Sequence, residues 1–202
     1  MTGAILAGGR ATRLGGVNKA TLPLGAEPGV TPLARILDVF AGRFDGAVIV
    51  ASPGMAFEGS APSGAPLSVV SDRFPGCGPL GGLHAALSAV RTPFAFVCGG
   101  DMPSLSGALL DLMADRSVAG RCLVPVRAGR PEPLHAIYPA CLWDEAQRAL
   151  GDGVRMMLDF LARVPVDYLS EEDYLPIEGA SRSFDNINTA EDLERVRETL
   201  RA

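Results

Sequence analysis

Met1-Thr2-Gly3-Ala4-Ile5-Leu6-Ala7-Gly8-Gly9-Arg10-Ala11-Thr12-Arg13-Leu14-Gly15-Gly16-Val17-Asn18-Lys19 opens the chain. A short apolar run, Ala4–Ala7, reads as a buried first strand and meets a loop holding Gly8, Gly9, Gly15 and Gly16. Arg10, Arg13 and Lys19 make the Gly3–Lys19 stretch net +3, because no acidic residue interrupts it. Glycines free backbone N–H groups to point at a ligand, and three cations add full charge, a combination suited to a polyanion such as a nucleoside triphosphate. A pair of tight turns would use the glycines but has no need of the cations.

Two familiar phosphate loops fail on spacing. The dinucleotide pattern G-x-G-x-x-G needs a glycine where Arg10 stands. The P-loop needs G-K-[ST], whereas Lys19 lies between Asn18 and Ala20. The strand-then-loop setting remains, and with it the electrostatic task. Attack on an α-phosphorus builds negative charge on phosphoryl oxygens and on the departing pyrophosphate. The fork of Arg13 can span two of those oxygens, while Lys19 suits a point contact near the reacting phosphate.

Outward from this loop, apolar β-type runs alternate with helical spacings. Strands are predicted at Ala47–Ala51, Leu67–Val70, Phe94–Cys98, Cys122–Val126, Leu134–Tyr138 and Val164–Tyr168. Helices are predicted at Pro32–Phe40, Leu80–Val90, Leu105–Ala114, Ala140–Leu150 and Val154–Leu161. Thr189 is placed to cap a last helix, with Asp192 three residues on. Ser52–Pro66, rich in Gly, Pro, Ser and Ala, reads as a loop. The alternation implies a three-layer α/β/α, Rossmann-like domain over residues 1–202 with a mostly parallel central sheet. Ligands of such sheets sit outside the carboxyl ends of the strands, where Gly8–Lys19 and Gly99–Asp101 both fall.

Composition narrows the function classes. With 202 residues and 48% hydrophobic side chains the chain can bury a large core, and 20% charged residues argue against disorder. A net charge of −5 argues against bulk nucleic-acid binding. No apolar run approaches membrane-spanning length and no signal peptide is visible, so a cytoplasmic protein is expected. Cys77, Cys98, Cys122 and Cys141 form no CxxC pair and read as reduced thiols.

Three further segments carry chemistry. Asp72 precedes Gly76-Cys77-Gly78-Pro79-Leu80-Gly81-Gly82, where glycines let backbone approach a purine edge and a carboxylate can accept its N–H donors or a ribose hydroxyl. A strand-end turn before a helix explains the same residues. Asp101, at the end of a predicted strand, suits Mg²⁺, which takes one or two carboxylates and fills its shell with water and phosphate oxygens. A helix cap near Ser104 is the plainer role. In Asp185-Asn186-Ile187-Asn188-Thr189, alternation points Asn186 and Asn188 to one side. His84 and His135 read as structural histidines of a helix and a strand.

Leu6-Ala7-Gly8-Gly9 … Arg13-Leu14-Gly15-Gly16-Val17-Asn18-Lys19, Gly78-Pro79-Leu80-x-Gly82, Asp101-x-Pro103 and Asn186-x-Asn188-Thr189-x-x-Asp192-Leu193 occur in this order. Together they resemble the signature of the GT-A-like nucleotidyltransferases, and most of all the molybdenum cofactor guanylyltransferases. Leu14 stands where that family often has methionine, Asn18 where it often has aspartate, and Gly100 where cysteine is usual. The resemblance implies transfer of GMP from GTP to molybdenum-molybdopterin, with release of pyrophosphate. It implies GTP binding by Leu6, Ala7, Gly8, Gly9, Gly15, Lys19, Asp72, Gly78, Pro79, Leu80 and Asp101, and Mg²⁺ on Asp101. Arg13, Lys19 and Asp101 would be catalytic, and Asn186, Asn188 and Arg155 would reach the active site or the pterin acceptor. Molybdenum cofactor biosynthesis proteins or molybdoenzyme chaperones are the implied partners. A relative using CTP or a sugar 1-phosphate is one alternative, and a non-catalytic nucleotide-binding protein is another.

Overall fold

The computed structural model describes residues 1–8, 18–25, 29–52 and 64–201. In chain order the elements are β1 (Thr2–Leu6), α1 (Pro32–Phe40), β2 (Ala47–Ala51), β3 (Leu67–Ser71), α2 (Pro79–Ala89), β4 (Phe94–Gly99) and α3 (Gly107–Asp115). Then come β5 (Cys122–Arg127), β6 (Arg130–Pro131), β7 (His135–Pro139), α4 (Trp143–Gly151), α5 (Met157–Leu161), β8 (Val166–Leu169), α6 (Glu171–Tyr174) and α7 (Ala190–Arg201). Short 3₁₀ turns lie at Lys19–Thr21, Ala140–Leu142 and Ala180–Phe184.

The strands form one sheet in the order β3-β2-β1-β4-β7-β5-β6, with β8 paired to β5. β1 runs parallel to both β2 and β4, β2 to β3, and β5 to β8. β7 alone reverses direction between β4 and β5, and β6 closes a short hairpin on β5.

The central strands are apolar throughout because both faces are covered. Their residues divide by parity. Ile5, Ile49, Phe96, Cys98, Leu123 and Ile137 face one core, completed by α1 and α3 through Leu33, Ile36, Leu109 and Met113. Ala4, Val48, Val50, Ala95, Val97, Val124 and Tyr138 face the other, with Leu80 and Leu83 of α2, Ala146 of α4 and Phe160 of α5. This is the expected three-layer arrangement. From Leu80 to Leu87 every residue of α2 is buried, as a helix packed between the sheet and α4 requires.

Several boundaries differ from the sequence expectation for identifiable reasons. α3 begins at Gly107 because Ser106 is its N-cap, its hydroxyl accepting the Leu109 N–H. α5 begins at Met157, three residues late. The chain must first leave α4 through Gly153, whose φ of 86° permits paired capping bonds from Gly153 N–H to Leu150 C=O and from Val154 N–H to Ala149 C=O. Residues 53–63 of the anticipated Ser52–Pro66 loop lie outside the described residues.

Phe40 anchors the first core, its ring 4.9 Å from that of Phe44 and 5.9 Å from that of Phe96. Replacing Phe40 with alanine is expected to lower stability by about 3–5 kcal/mol in urea unfolding. A loss below about 1 kcal/mol would show that this cluster does not hold α1 to the sheet.

Candidate active site

The site is built where β1 and β4 end side by side. Leu6 is the register partner of Gly99, and the Gly100 N–H donates to the Leu6 carbonyl at 3.0 Å. Ala7 N–H donates to Val50 C=O at 2.9 Å, which binds the same turn to β2. A side-chain carbon on Gly100 would stand 3.1 Å from both Ala7 Cα and Ala20 Cβ. The loop after β4 therefore lies directly against the one after β1, and Asp101 emerges at the shared edge.

Lys19 reaches this carboxylate from the 3₁₀ turn at Lys19–Thr21. Asn18 is the N-cap of that turn, its Oδ1 accepting the Ala20 N–H at 3.1 Å. Position 18 thus acquires a role that the sequence did not reveal, and it is one that either asparagine or aspartate can fill. Lys19 Nζ donates to Asp101 Oδ2 at 3.2 Å and to Asn188 Oδ1 at 2.7 Å. Lys19 and Asp101 are 22% and 25% exposed, so the pair is accessible yet partly shielded from water.

Asn188 arrives from the far end of the chain. Ile187 N–H donates to Asp101 C=O at 2.9 Å, and the Ile187 side chain is wholly buried. Asn186 and Asn188 on either side are exposed, in keeping with the expected alternation. Ile187 packs with Leu24 and Val196, flanked by Leu22, Val30 and Leu193. α7 consequently closes over the segment that carries Lys19, and Arg197 adds a bond to the Pro23 carbonyl at 2.9 Å. At the start of α7 the Thr189 hydroxyl accepts Asp192 N–H at 3.2 Å, while Asp192 Oδ2 accepts the N–H groups of Asn188 and Thr189, each at 3.0 Å. The reciprocal capping anticipated from Thr189 and Asp192 is complete. Chiefly because of the Asn188 N–H, the Asp192 carboxyl is held below its ordinary pKa.

Two anchors precede this segment. Asp185 pairs with Arg127, at the end of β5, at 2.8 Å. The Ser183 hydroxyl accepts the Ser106 N–H at 2.9 Å and lies 2.7 Å from His135 Nε2. His135 is fully buried, and burial lowers its pKa to about 4. This is the structural role expected of it.

The second group of sequence candidates surrounds the start of α2. Asp72 Oδ1 accepts the Phe74 N–H at 2.7 Å, the strand-end turn that was the plainer reading of this residue. Its carboxylate also lies over α2, because a side-chain carbon on Gly81 would stand 2.8 Å from both Asp72 oxygens. Gly82 backs onto the Leu6 side chain, which joins Gly78-Pro79-Leu80 to the end of β1. Arg155 approaches Gly78 with its backbone carbonyl, while its guanidinium donates to the carbonyls of Leu150 and Val154. His84 is buried beside Phe74 and Trp143.

The structure therefore brings together Leu6, Ala7, Lys19, Asp101 and Asn188, with Gly78–Leu80 and Asp72 adjoining through Leu6 and α2. Gly9, Arg13 and Gly15 lie outside the described residues. Gly8 lies beside Ser52, at the end of β2.

The three-layer, mostly parallel sheet that carries this cluster is the fold of a nucleotidyltransferase. A family model described as a MobA-like NTP transferase domain matches residues 3–166. The probable molybdenum cofactor guanylyltransferase of Natronomonas pharaonis is 35% identical over 211 residues, covering 98% of either chain. A crystal structure of molybdopterin-guanine dinucleotide biosynthesis protein A from Archaeoglobus fulgidus superposes with a TM-score of 0.76 at 27% identity, covering 100% of this chain and 99% of that one. The manganese complex of Rv0371c from Mycobacterium tuberculosis shares the fold, with a TM-score of 0.60 at 23% identity and 98% coverage of both chains. The chain belongs to the MobA-like NTP transferase family.

The buried His135 makes the site's scaffold sensitive to acid. Its folded-state pKa of about 4 lies below the ordinary imidazole value of 6.5, so its contribution is full above pH 6.5 and is lost as pH falls toward 4. Stability is expected to fall by about 3 kcal/mol over that window from this group alone. In thermal unfolding at pH 7 and pH 4.5, His135→Gln should narrow the gap between the two conditions, and an unchanged gap would refute the assignment.

Proposed function

We propose that residues 1–202 act as one nucleotidyltransferase unit that transfers GMP from GTP to molybdenum-molybdopterin, releasing pyrophosphate. The observation that carries this reading is Lys19 Nζ held between Asp101 Oδ2 and Asn188 Oδ1 at the carboxyl ends of β1 and β4. An ammonium fixed there meets the negative charge that develops on the α-phosphate and on the leaving pyrophosphate. The terminal phosphate of the pterin is already ionised at neutral pH, so attack needs orientation rather than a general base. Arg13 is assigned to the triphosphate alongside Lys19. The N-terminal half, with Leu6–Gly9, Gly15, Asp72 and Gly78–Leu80, holds the nucleotide, and the C-terminal half faces the acceptor.

Asn186 is assigned to the acceptor side because it is exposed one residue from Ile187, which is bonded to the Asp101 carbonyl. Arg155 enters that role through its neighbour Gly78, by exchanging the carbonyls it now bonds for phosphate oxygens. Cofactor-biosynthesis proteins or molybdoenzyme chaperones would supply and collect the pterin.

Mg²⁺ fits the donors present. Asp101 Oδ2 takes the Lys19 ammonium, and the same carboxylate would hold a hard divalent ion, which needs only one or two protein carboxylates besides water and phosphate oxygens. When bound, the metal adds positive charge at phosphate oxygens. Manganese in the Mycobacterium structure accords with a divalent-metal site in this fold.

Lys19→Ala is expected to reduce GMP transfer by about 10²–10³-fold with the fold intact by circular dichroism. Near-parental turnover would remove Lys19 from the reaction. Asp101→Ala should abolish the metal dependence of activity, and a retained dependence would place the metal elsewhere. Calorimetric titration with GTP, CTP and UTP should show GTP bound tightest, whereas a CTP preference would defeat the guanylyl assignment.

A further inference from the structure

Two of the contacts that define the site come from the segment just before α7. Lys19 Nζ bonds Asn188, and the Asp101 carbonyl accepts the Ile187 N–H. The Asn188 side chain is exposed, so little packing holds its amide in place. The restraint is on its backbone, and Asp192 supplies it. One carboxylate oxygen takes the N–H groups of both Asn188 and Thr189, and this bond to Asn188 lies outside the cap proper. An ordinary capping box needs only the N-cap pair, here Thr189 with Asp192. The additional acceptance from residue 188 orients the residue that touches Lys19. Arg195, 3.3 Å from Asp192, balances the carboxylate on its outer side.

We propose that Asp192 is a positioning residue of the phosphate site. It fixes the Asn188 backbone so that the Asn188 amide oxygen holds the Lys19 ammonium beside Asp101. The start of α7 is then part of the reaction centre. A carboxylate that only capped the helix would matter for stability alone, and Thr189 supplies the comparison. Its hydroxyl makes the other half of the same cap and carries no bond to Asn188.

The test is a mutant cycle on the full chain, using Asp192→Ala, Asn188→Ala, the double variant and Thr189→Ala. Each is measured for Tm and for kcat/KM of GMP transfer. Asp192→Ala and Thr189→Ala should lower Tm alike, while only Asp192→Ala lowers kcat/KM, by about tenfold. Asn188→Ala should lower it at least as far, and adding Asp192→Ala to that variant should change it no further. The proposal is overturned by an equal fall in Thr189→Ala, by parental kcat/KM in Asp192→Ala or Asn188→Ala, or by a full second tenfold loss in the double variant. Because the activity arm rests on the guanylyl-transfer reading, the cycle is repeated on the calorimetric affinity for inorganic triphosphate with Mg²⁺. A parent protein that binds triphosphate but transfers no GMP defeats that reading and leaves the role of Asp192 to be decided by coupling in affinity. A parent that binds no triphosphate overturns both.

Discussion

Everything chemical in this protein depends on one pairing, that of β1 with β4 at the centre of the sheet. The two strands end level, Leu6 beside Gly99, and one further backbone bond from Gly100 to Leu6 brings their loops into contact. Asp101 is thereby fixed at the edge where the glycine-rich loop begins, and a partly shielded carboxylate there attracts an opposite charge. Lys19 provides it, from a turn whose geometry Asn18 sets. The cation is a fixed point to which a triphosphate can be directed.

The C-terminal third then works as a brace. Its connections are of different kinds: a buried imidazole–hydroxyl contact at His135 and Ser183, an ion pair at Arg127 and Asp185, a backbone bond at Ile187, and apolar packing of Ile187 and Val196 against Leu24. Ion pairs exposed to this degree contribute little individually. The buried contacts set the position of the segment, and the exposed asparagines project from it toward the site.

Much of this was legible from residue order. The apolar runs of β2 and β4, the spacing of Leu33, Ile36, Leu37 and Phe40 in α1, and Thr189 with Asp192 before α7 are local signals that tertiary packing did not override. Lys19, Asp101 and Asn188 were recognisable by type, and the structure brings the three together. What residue order could not convey was partnership. Residues 128–134 are too few for a parallel crossover and so dictate that β7 runs antiparallel to β5, but its insertion between β5 and β4 has no local signal. The Arg155 guanidinium bonds the end of α4, which follows from the chiral exit at Gly153 rather than from its charge. Asn18 differed from the expected residue type while serving a local backbone need that both types meet. The short α6 at Glu171–Tyr174 carried too few residues for a periodic signal.

The contact between Lys19 and Asn188 spans 169 residues. Closing so long a loop is entropically unfavourable, and the packing of Ile187 and Val196 with Leu24 helps to offset it. On a ribosome, synthesis proceeds from the amino end, so β1, β4 and Asp101 emerge and can pair well before Asn188 exists. A nascent chain can therefore possess its sheet, and even its glycine-rich loop, without yet having a finished reaction centre. The site is therefore assembled only after the segment around Asn188 has been made.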